Sequence, residues 1–181
     1  MTPMNPADPQ RPAVRLVLIA AVSRNGVLAT GGKIPWHLPR DVAHFRARTA
    51  GHWLLLGRAT YEQMIGWFQS DQVPVVLTRQ VGYAVPAGWV VSSVLEAMEW
   101  AAAHGVEELV VCGGGQVYAT ALPIADEVIL TEVDMEVDGD TWFPEMAAEE
   151  WEVADEQLFP ADEENAWPMT ISQMLRRAAK G

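Results

Sequence analysis

The chain has 181 residues, half of them apolar, and a formal charge of −12. That length suits one packed domain, and the charge argues against general nucleic-acid binding. No apolar run reaches the ~18 residues of a membrane span, and a single cysteine, Cys112, rules out an internal disulfide and points to a reducing, cytoplasmic setting.

Met1 to Pro12 is polar and proline-rich and lacks the charged-then-apolar order of a signal peptide, so it reads as a disordered tail before a domain over residues 13–181. Val14 to Val22 is a nearly continuous apolar run, which predicts a buried strand. A glycine-rich loop follows from Asn25 to Pro35. Leu38 to Arg48 predicts a helix with Pro39 in its first turn. Trp53 to Leu56 predicts a short buried strand, and Ala59 to Ile65 a helix opening directly after Gly57. Further strands are expected at Val73 to Thr78 and Trp89 to Val91. Ser93 to Glu96 is a capping box, opening a helix that runs to His104 and stops at Gly105. A strand at Leu109 to Cys112 leads through Gly113-Gly114-Gly115 into a helix from Gln116 to Leu122. Three more strands are expected at Glu127 to Asp134, Trp151 to Leu158 and Trp167 to Met174. Alternation of early strands with helices predicts a largely parallel α/β sheet, and the last two strands, with no helix between them, an antiparallel hairpin at one edge.

Leu38, Asp41 and Phe45 share one face of the first helix. On an inward face, an acid sits buried or in a cleft wall, its pKa is raised, and it becomes a candidate for chemistry. The alternative is an exposed first-turn acid favoured by the helix dipole. The triple glycine between a strand and a helix fits either a phosphate-binding turn or a tight turn with no ligand; the dinucleotide fingerprint GxGxxG is absent. Gly57-Arg58-Ala59-Thr60 is a second such junction, and Arg79 follows Thr78 at the end of another strand. Together they suit a long, multiply charged ligand such as NADPH, while each alone also suits a plain soluble surface. His37, His44, His52 and His104 have no metal-ligand spacing with one another or with Cys112, so no metal is expected. The late acids, Glu145, Glu149, Glu150, Glu152, Asp155, Glu156, Asp162, Glu163 and Glu164, read as a solvated surface, with salt adaptation of the source as the other explanation.

In order and spacing, these segments resemble the dihydrofolate reductase family over nearly all of residues 14–177. The matching pieces are Leu18-Ile19-Ala20-Ala21, Ile34-Pro35-Trp36-His37-Leu38-Pro39 with Asp41 and Phe45, Gly57-Arg58-Ala59-Thr60-Tyr61-Glu62 and Val76-Leu77-Thr78-Arg79. They continue with Gly113-Gly114-Gly115-Gln116-Val117-Tyr118, Thr131-Glu132-Val133-Asp134 and Gly139-Asp140-Thr141-Trp142-Phe143-Pro144. The resemblance implies an eight-stranded, mixed, mostly parallel sheet flanked by helices. It implies reduction of dihydrofolate with NADPH, sending a hydride to carbon 6 and a proton to nitrogen 5; a monomer with no nucleic-acid or membrane partner is expected.

The same resemblance assigns roles. Asp41 is matched to the acid that hydrogen-bonds the pterin, Trp36 to a residue that orders water nearby, and Thr131 to a hydroxyl supporting the acid. Ala20, Leu28, Ile34, Val42, Phe45, Arg46, Met64, Cys112 and Tyr118 complete the implied substrate site. Arg58, Thr78 and Arg79 are matched to the 2′-phosphate and adenosine side of the cofactor. Gly114, Gly115, Gln116, Val117 and Tyr118 are matched to its pyrophosphate and nicotinamide side, with Ala21, Gly57, Ala59, Thr60, Leu77 and Thr141 beside them. A cis bond is implied at Gly113-Gly114. The loop from Asn25 to Ile34 is expected to close over the nicotinamide and exclude water. Departures are visible. Ala29 stands where a lid-loop glycine is common, and Met169 and Ile171 stand where aromatics are common. The place of the arginine that grips the folate glutamate tail falls at Asp71 or Gln72, leaving Arg46 as the nearest candidate for partial replacement. Two other readings stay open: a same-fold reductase of another heterocycle, such as a riboflavin-pathway pyrimidine, and a catalytically silent folate- or nucleotide-binding protein.

Overall fold

The computed structural model describes residues 10–178. Residues 1–9 of the expected tail lie outside them, while Arg11 donates to the Ile124 carbonyl and pairs with Asp126. The apolar opening run forms β1 (Arg15–Ser23), and β2 (Val27–Ala29) follows within the glycine-rich loop. Then come α1 (Pro39–Thr49), β3 (Trp53–Gly57), α2 (Arg58–Met64), β4 (Val73–Leu77), β5 (Trp89–Val91), α3 (Val94–Ala103) and β6 (Glu108–Gly113). The chain continues through α4 (Gly115–Ala121), β7 (Glu127–Val133), β8 (Thr141–Trp142), β9 (Trp151–Phe159) and β10 (Met169–Arg176). The eight-stranded sheet has the order β5-β4-β3-β6-β1-β7-β10-β9, and β2 pairs with β8 in a separate two-stranded ladder. The expected mixed sheet is therefore present. The small ladder was not expected, because strands of three and two residues are too short to show an alternating pattern.

The chain falls into two compact units: one holds the chain through Leu18 together with Thr49–Asp126, the other Ile19–Arg48 together with the chain from Glu127. In the first unit β1, β3, β4, β5 and β6 pair in parallel. Leu16, Leu54, Leu55, Leu56, Val75, Val76, Leu109 and Val110 are fully buried there, as expected of strands covered on both faces. Helix α3 begins as its capping residues require, with Ser93 Oγ accepting from the Glu96 amide at 3.1 Å. The return bond differs from the expected box, since Glu96 accepts from the Ser92 amide and hydroxyl, one residue earlier. The helix closes with Gly105 at φ +71°, its amide bonded to Ala102 and the next amide, of Val106, to Ala101. That double bond satisfies the last carbonyls and suits a residue without Cβ.

In the second unit β10 runs antiparallel to both β7 and β9, giving the expected edge hairpin. Leu38, 1% exposed, packs with Val133 of β7 and Met169 of β10, and this contact fixes the point from which α1 starts. The first turn of α1 is capped from a distance: Asn165, in the turn between β9 and β10, accepts from the Arg40 amide at 3.0 Å. Asp162 organises that turn, accepting from Asn165 Nδ2 and from the Asn165 and Glu164 amides, and it pairs with Arg40 at 2.6 Å. The Asn165 bonds, more than Arg40, hold the Asp162 carboxyl down at about 2. One member of the acidic run is thus a structural ligand, a role its charged neighbours concealed in the sequence.

Removing the distant cap tests this account. Asn165→Ala leaves the Arg40 amide without its acceptor, which costs about 0.5–2 kcal/mol for a helix N-terminus. The expected drop in Tm is roughly 1–8 °C for a chain of this size, measured by calorimetry; an unchanged Tm would mean that another group holds the start of α1.

Candidate active site

The site begins with the position of α1. Because Leu38 is buried against β7 and β10, the helix face that follows it turns inward, and Asp41 is half-buried. Thr131 of β7, 2% exposed, hydrogen-bonds to the Asp41 carboxyl. Burial pushes the Asp41 pKa above its ordinary 3.8, against the Thr131 hydrogen bond and the potential of His44, which both favour the charged form. Of the two readings left open for this acid, the inward one holds. Trp36 lies in the same unit, packed against the Leu38 cluster, and its indole Nε1 is buried with no hydrogen-bond partner in the protein.

The other substrate residues separate into two groups. Ala20, Leu28, Val42 and Phe45 are buried or half-buried in the second unit with Asp41, whereas Ile34 is 62% exposed and Arg46 is exposed. Met64, Cys112 and Tyr118 belong to the first unit. Cys112 is enclosed, and burial pushes its thiol far above the ordinary range, so it is inert as a nucleophile.

The expected lid loop is tied down through β2 and β8. Gly31 N donates to Asp140 Oδ2 at 2.7 Å, the Thr30 hydroxyl to the Asp138 carbonyl at 2.7 Å, and the Asp140 amide to the Ala29 carbonyl at 3.1 Å. Thr141, matched to the cofactor, sits in this ladder opposite Ala29 and donates to its neighbour Asp140. Gly139 lies so close to the loop that a Cβ there would fall 2.2 Å from Val27 Cγ1 and 2.9 Å from the Ala29 carbonyl. Ala29 itself is absent from the positive-φ residues, so its backbone needs no glycine.

In the first unit the two glycine junctions adjoin. A Cβ on Gly57 would come 3.2 Å from Val117 Cγ2, and one on Gly114 would come 3.2 Å from Thr60 Oγ1. The bond between Gly113 and Gly114 is cis, as the resemblance implied. Gly114 and Gly115 are half-buried, Val117 and Tyr118 buried, and Gln116 exposed. Arg58 and Arg79 are exposed, with Ala59 beside them, while Ala21, Leu77 and Thr78 are half-buried. Sequence reasoning missed the partners of Arg58: Glu62 pairs with it at 3.3 Å, and Tyr83 donates to the same carboxylate oxygen. The spacing of Arg58 and Glu62, four apart on a helix, was the available signal.

The tail position resolves as well. Gln72 is buried; its Nε2 donates to the Thr49 hydroxyl at 2.9 Å and to the Thr49 carbonyl, and its Oε1 accepts from the Gln69 amide. Both ends of the amide are used internally. Asp71 beside it is exposed.

Among the described residues no group of three or more His, Cys, Asp or Glu side chains is placed to hold a metal, and no helix is long and apolar enough to cross a membrane. The family model for dihydrofolate reductase matches residues 15–176. The chain is 37% identical over 160 residues to the type 3 dihydrofolate reductase of Salmonella typhimurium, covering 88% of this chain and 97% of that protein. It is 41% identical over 150 residues to the type A13 enzyme of Escherichia coli, covering 83% and 87%. Dihydrofolate reductase from Enterococcus faecalis, solved in complex with NADP(H) and RAB-propyl, superposes with a TM-score of 0.81 at 30% identity, over 91% of this chain and 97% of that one. With the family model spanning residues 15–176, relatives of this identity and the expected sheet order, the chain belongs to the dihydrofolate reductase family.

Proposed function

We propose that this chain, as a dihydrofolate reductase, uses NADPH and engages the pterin through Asp41, and that the desolvated Asp41–Thr131 pair carries this reading. The residues present suit the cofactor. Arg58 and Arg79 supply guanidinium groups for a phosphate, and glycine at 57 and 114 lets the two strand-to-helix turns pack against Val117 and Thr60, beside those cations. Bound NADPH supplies the hydride for carbon 6 of dihydrofolate. Asp41 hydrogen-bonds the pterin ring and sustains the proton that goes to nitrogen 5. Thr131 orients the carboxyl, and the unpartnered indole N–H of Trp36 is a donor for a water beside it. Phe45, Val42, Leu28 and Ala20 supply apolar walls that keep the reacting rings dry, and the latch from Asp140 to Gly31 holds the loop that excludes solvent. The protein is taken to act as a cytoplasmic monomer, supported by its one buried, inert cysteine and its small soluble reactants; sedimentation at working concentration tests the monomer.

Replacing the acid separates chemistry from stability. Asp41→Asn keeps NADPH binding and lowers turnover by about 10²-fold or more. The folded state binds the Asp41 proton more tightly than the unfolded chain does, so stability falls as pH rises above the unfolded value near 3.8. The same variant therefore melts higher than the parent at about pH 7 and no higher at about pH 3. Parental turnover at neutral pH would refute the assignment.

Cofactor choice follows from the guanidinium groups. NADPH is preferred over NADH, and the double change Arg58→Ala with Arg79→Ala erodes the preference by roughly tenfold or more, since each charged hydrogen bond is worth about 1.5–3 kcal/mol. Equal kcat/KM for the two cofactors in the parent protein would contradict this.

The substrate tail is held weakly, because Gln72 is engaged with Thr49 and Gln69 and Asp71 repels a carboxylate. Asp71→Arg, at an exposed position, lowers the KM for dihydrofolate by about tenfold with little change in kcat. A KM that is already low in the parent and indifferent to this change would show that another group holds the tail.

A further inference from the structure

Helix α1 carries a second titratable side chain one turn beyond Asp41, and the mechanism above gives it no role. His44 stands at i+3 from Asp41, which on a helix places the two Cβ atoms ~5–6 Å apart. Asp41 turns to Thr131. His44, with Arg40 and Arg48 at i−4 and i+4, lines a cavity of about 360 Å³ whose floor includes Ile129 of β7 and Ile171 of β10. His44 Nε2 is buried and has no hydrogen-bond partner in the protein.

The charges facing this imidazole come from four elements. On α1 itself are Asp41, Arg48 and Arg40, the last already compensated by Asp162 from the turn after β9 at 2.6 Å. Asp155 of β9 faces the same cavity. Glu127 of β7 reaches the cavity's lining residues, accepting from Gln173 of β10 at 2.8 Å and standing 3.9 Å from Arg48. Asp41 and Asp155 favour a proton on His44, and Arg48 opposes one.

We propose that His44 is a positioning residue for the charge of Asp41: a proton taken up by its imidazole holds the Asp41 carboxyl ionised. The proposal rests on the reading of Asp41 as the pterin acid. Burial lowers the affinity of His44 for a proton and raises that of Asp41, so their titration ranges approach each other. Groups coupled in this way titrate as a pair, and the coupling is reciprocal. When His44 is neutral, Asp41 keeps its raised proton affinity. On acidification His44 takes up charge and resists the protonation of Asp41, which extends the acid side of the working range.

The test is a pH titration of the full chain with carbon-13 labels in the aspartate carboxyls and the histidine Cε1, read by NMR. In the wild type, the Asp41 and His44 signals are expected to share two inflections. In His44→Gln the Asp41 curve becomes a single step displaced to higher pH, with the ratio of protonated to ionised Asp41 at a fixed pH in that range up by about twofold or more. In His44→Arg, whose charge is permanent, the step moves to lower pH. The acid limb of kcat/KM moves in the same sense in each variant, while the KM for NADPH stays put. A wild-type Asp41 curve with one inflection that ignores the titration of His44 overturns the proposal, even if neither variant folds. Shared inflections together with full turnover in Asp41→Asn would instead overturn the role of Asp41 and leave the coupling standing.

Discussion

A carboxyl half withdrawn from water is the constraint around which the second unit is arranged. Taking an ionised side chain out of solvent costs several kcal/mol, roughly, unless something answers its charge. Here one hydroxyl, Thr131, and the potential of His44 answer it in part, and burial still wins, leaving the Asp41 pKa raised. Such a balance depends on geometry. Leu38 against Val133 and Met169 sets where α1 begins, and Asn165 supplies the acceptor that its first turn lacks. Each of these contacts draws on residues more than ninety positions apart in sequence, so the acid has its place only after β7 and β10 have paired.

The charge balance works on two scales. The chain carries −12, while the reactants assigned to it are anions. At physiological ionic strength, exposed charges beyond about 8 Å are largely screened, so the net charge does not oppose the roles proposed for Arg58, Arg79 and Arg46. The surplus acid is placed elsewhere. Strand β9 lies at the edge of the sheet, and its Glu152, Asp155 and Glu156 are exposed. Charge along an unpaired edge deters strand addition by another chain, which gives part of the acidic run a purpose beyond solubility.

Glu62 shows how a site can be restrained from its flank. It accepts from both Arg58 and Tyr83, holding the guanidinium through a neighbouring charge. An exposed pair four apart on a helix is worth only a few tenths of a kcal/mol, so Glu62 holds the Arg58 guanidinium only loosely.

Much of the molecule is legible before folding. Strands such as Leu54 to Leu56 and Leu109 to Val111 are continuous apolar runs because they are covered on both faces, and Ser93, Glu96 and Gly105 mark the ends of α3 through local bonds. The glycine junctions and their order along the chain were visible for the same reason, whereas for Asp41 the helix spacing left an inward and an exposed placement open until β7 and β10 enclosed it. What needed the tertiary structure lies in pairings between distant segments. The ladder of β2 with β8 is too short to announce itself, and Gln72 became a structural residue only by meeting Thr49. Asp162, still exposed, gained a structural role by organising a turn against Arg40, and His44 lines a cavity that Ile129 and Ile171 share. Periodicity and capping act within a few residues of chain, whereas the burial of a single side chain and the partner it finds are set by which strands lie beside it.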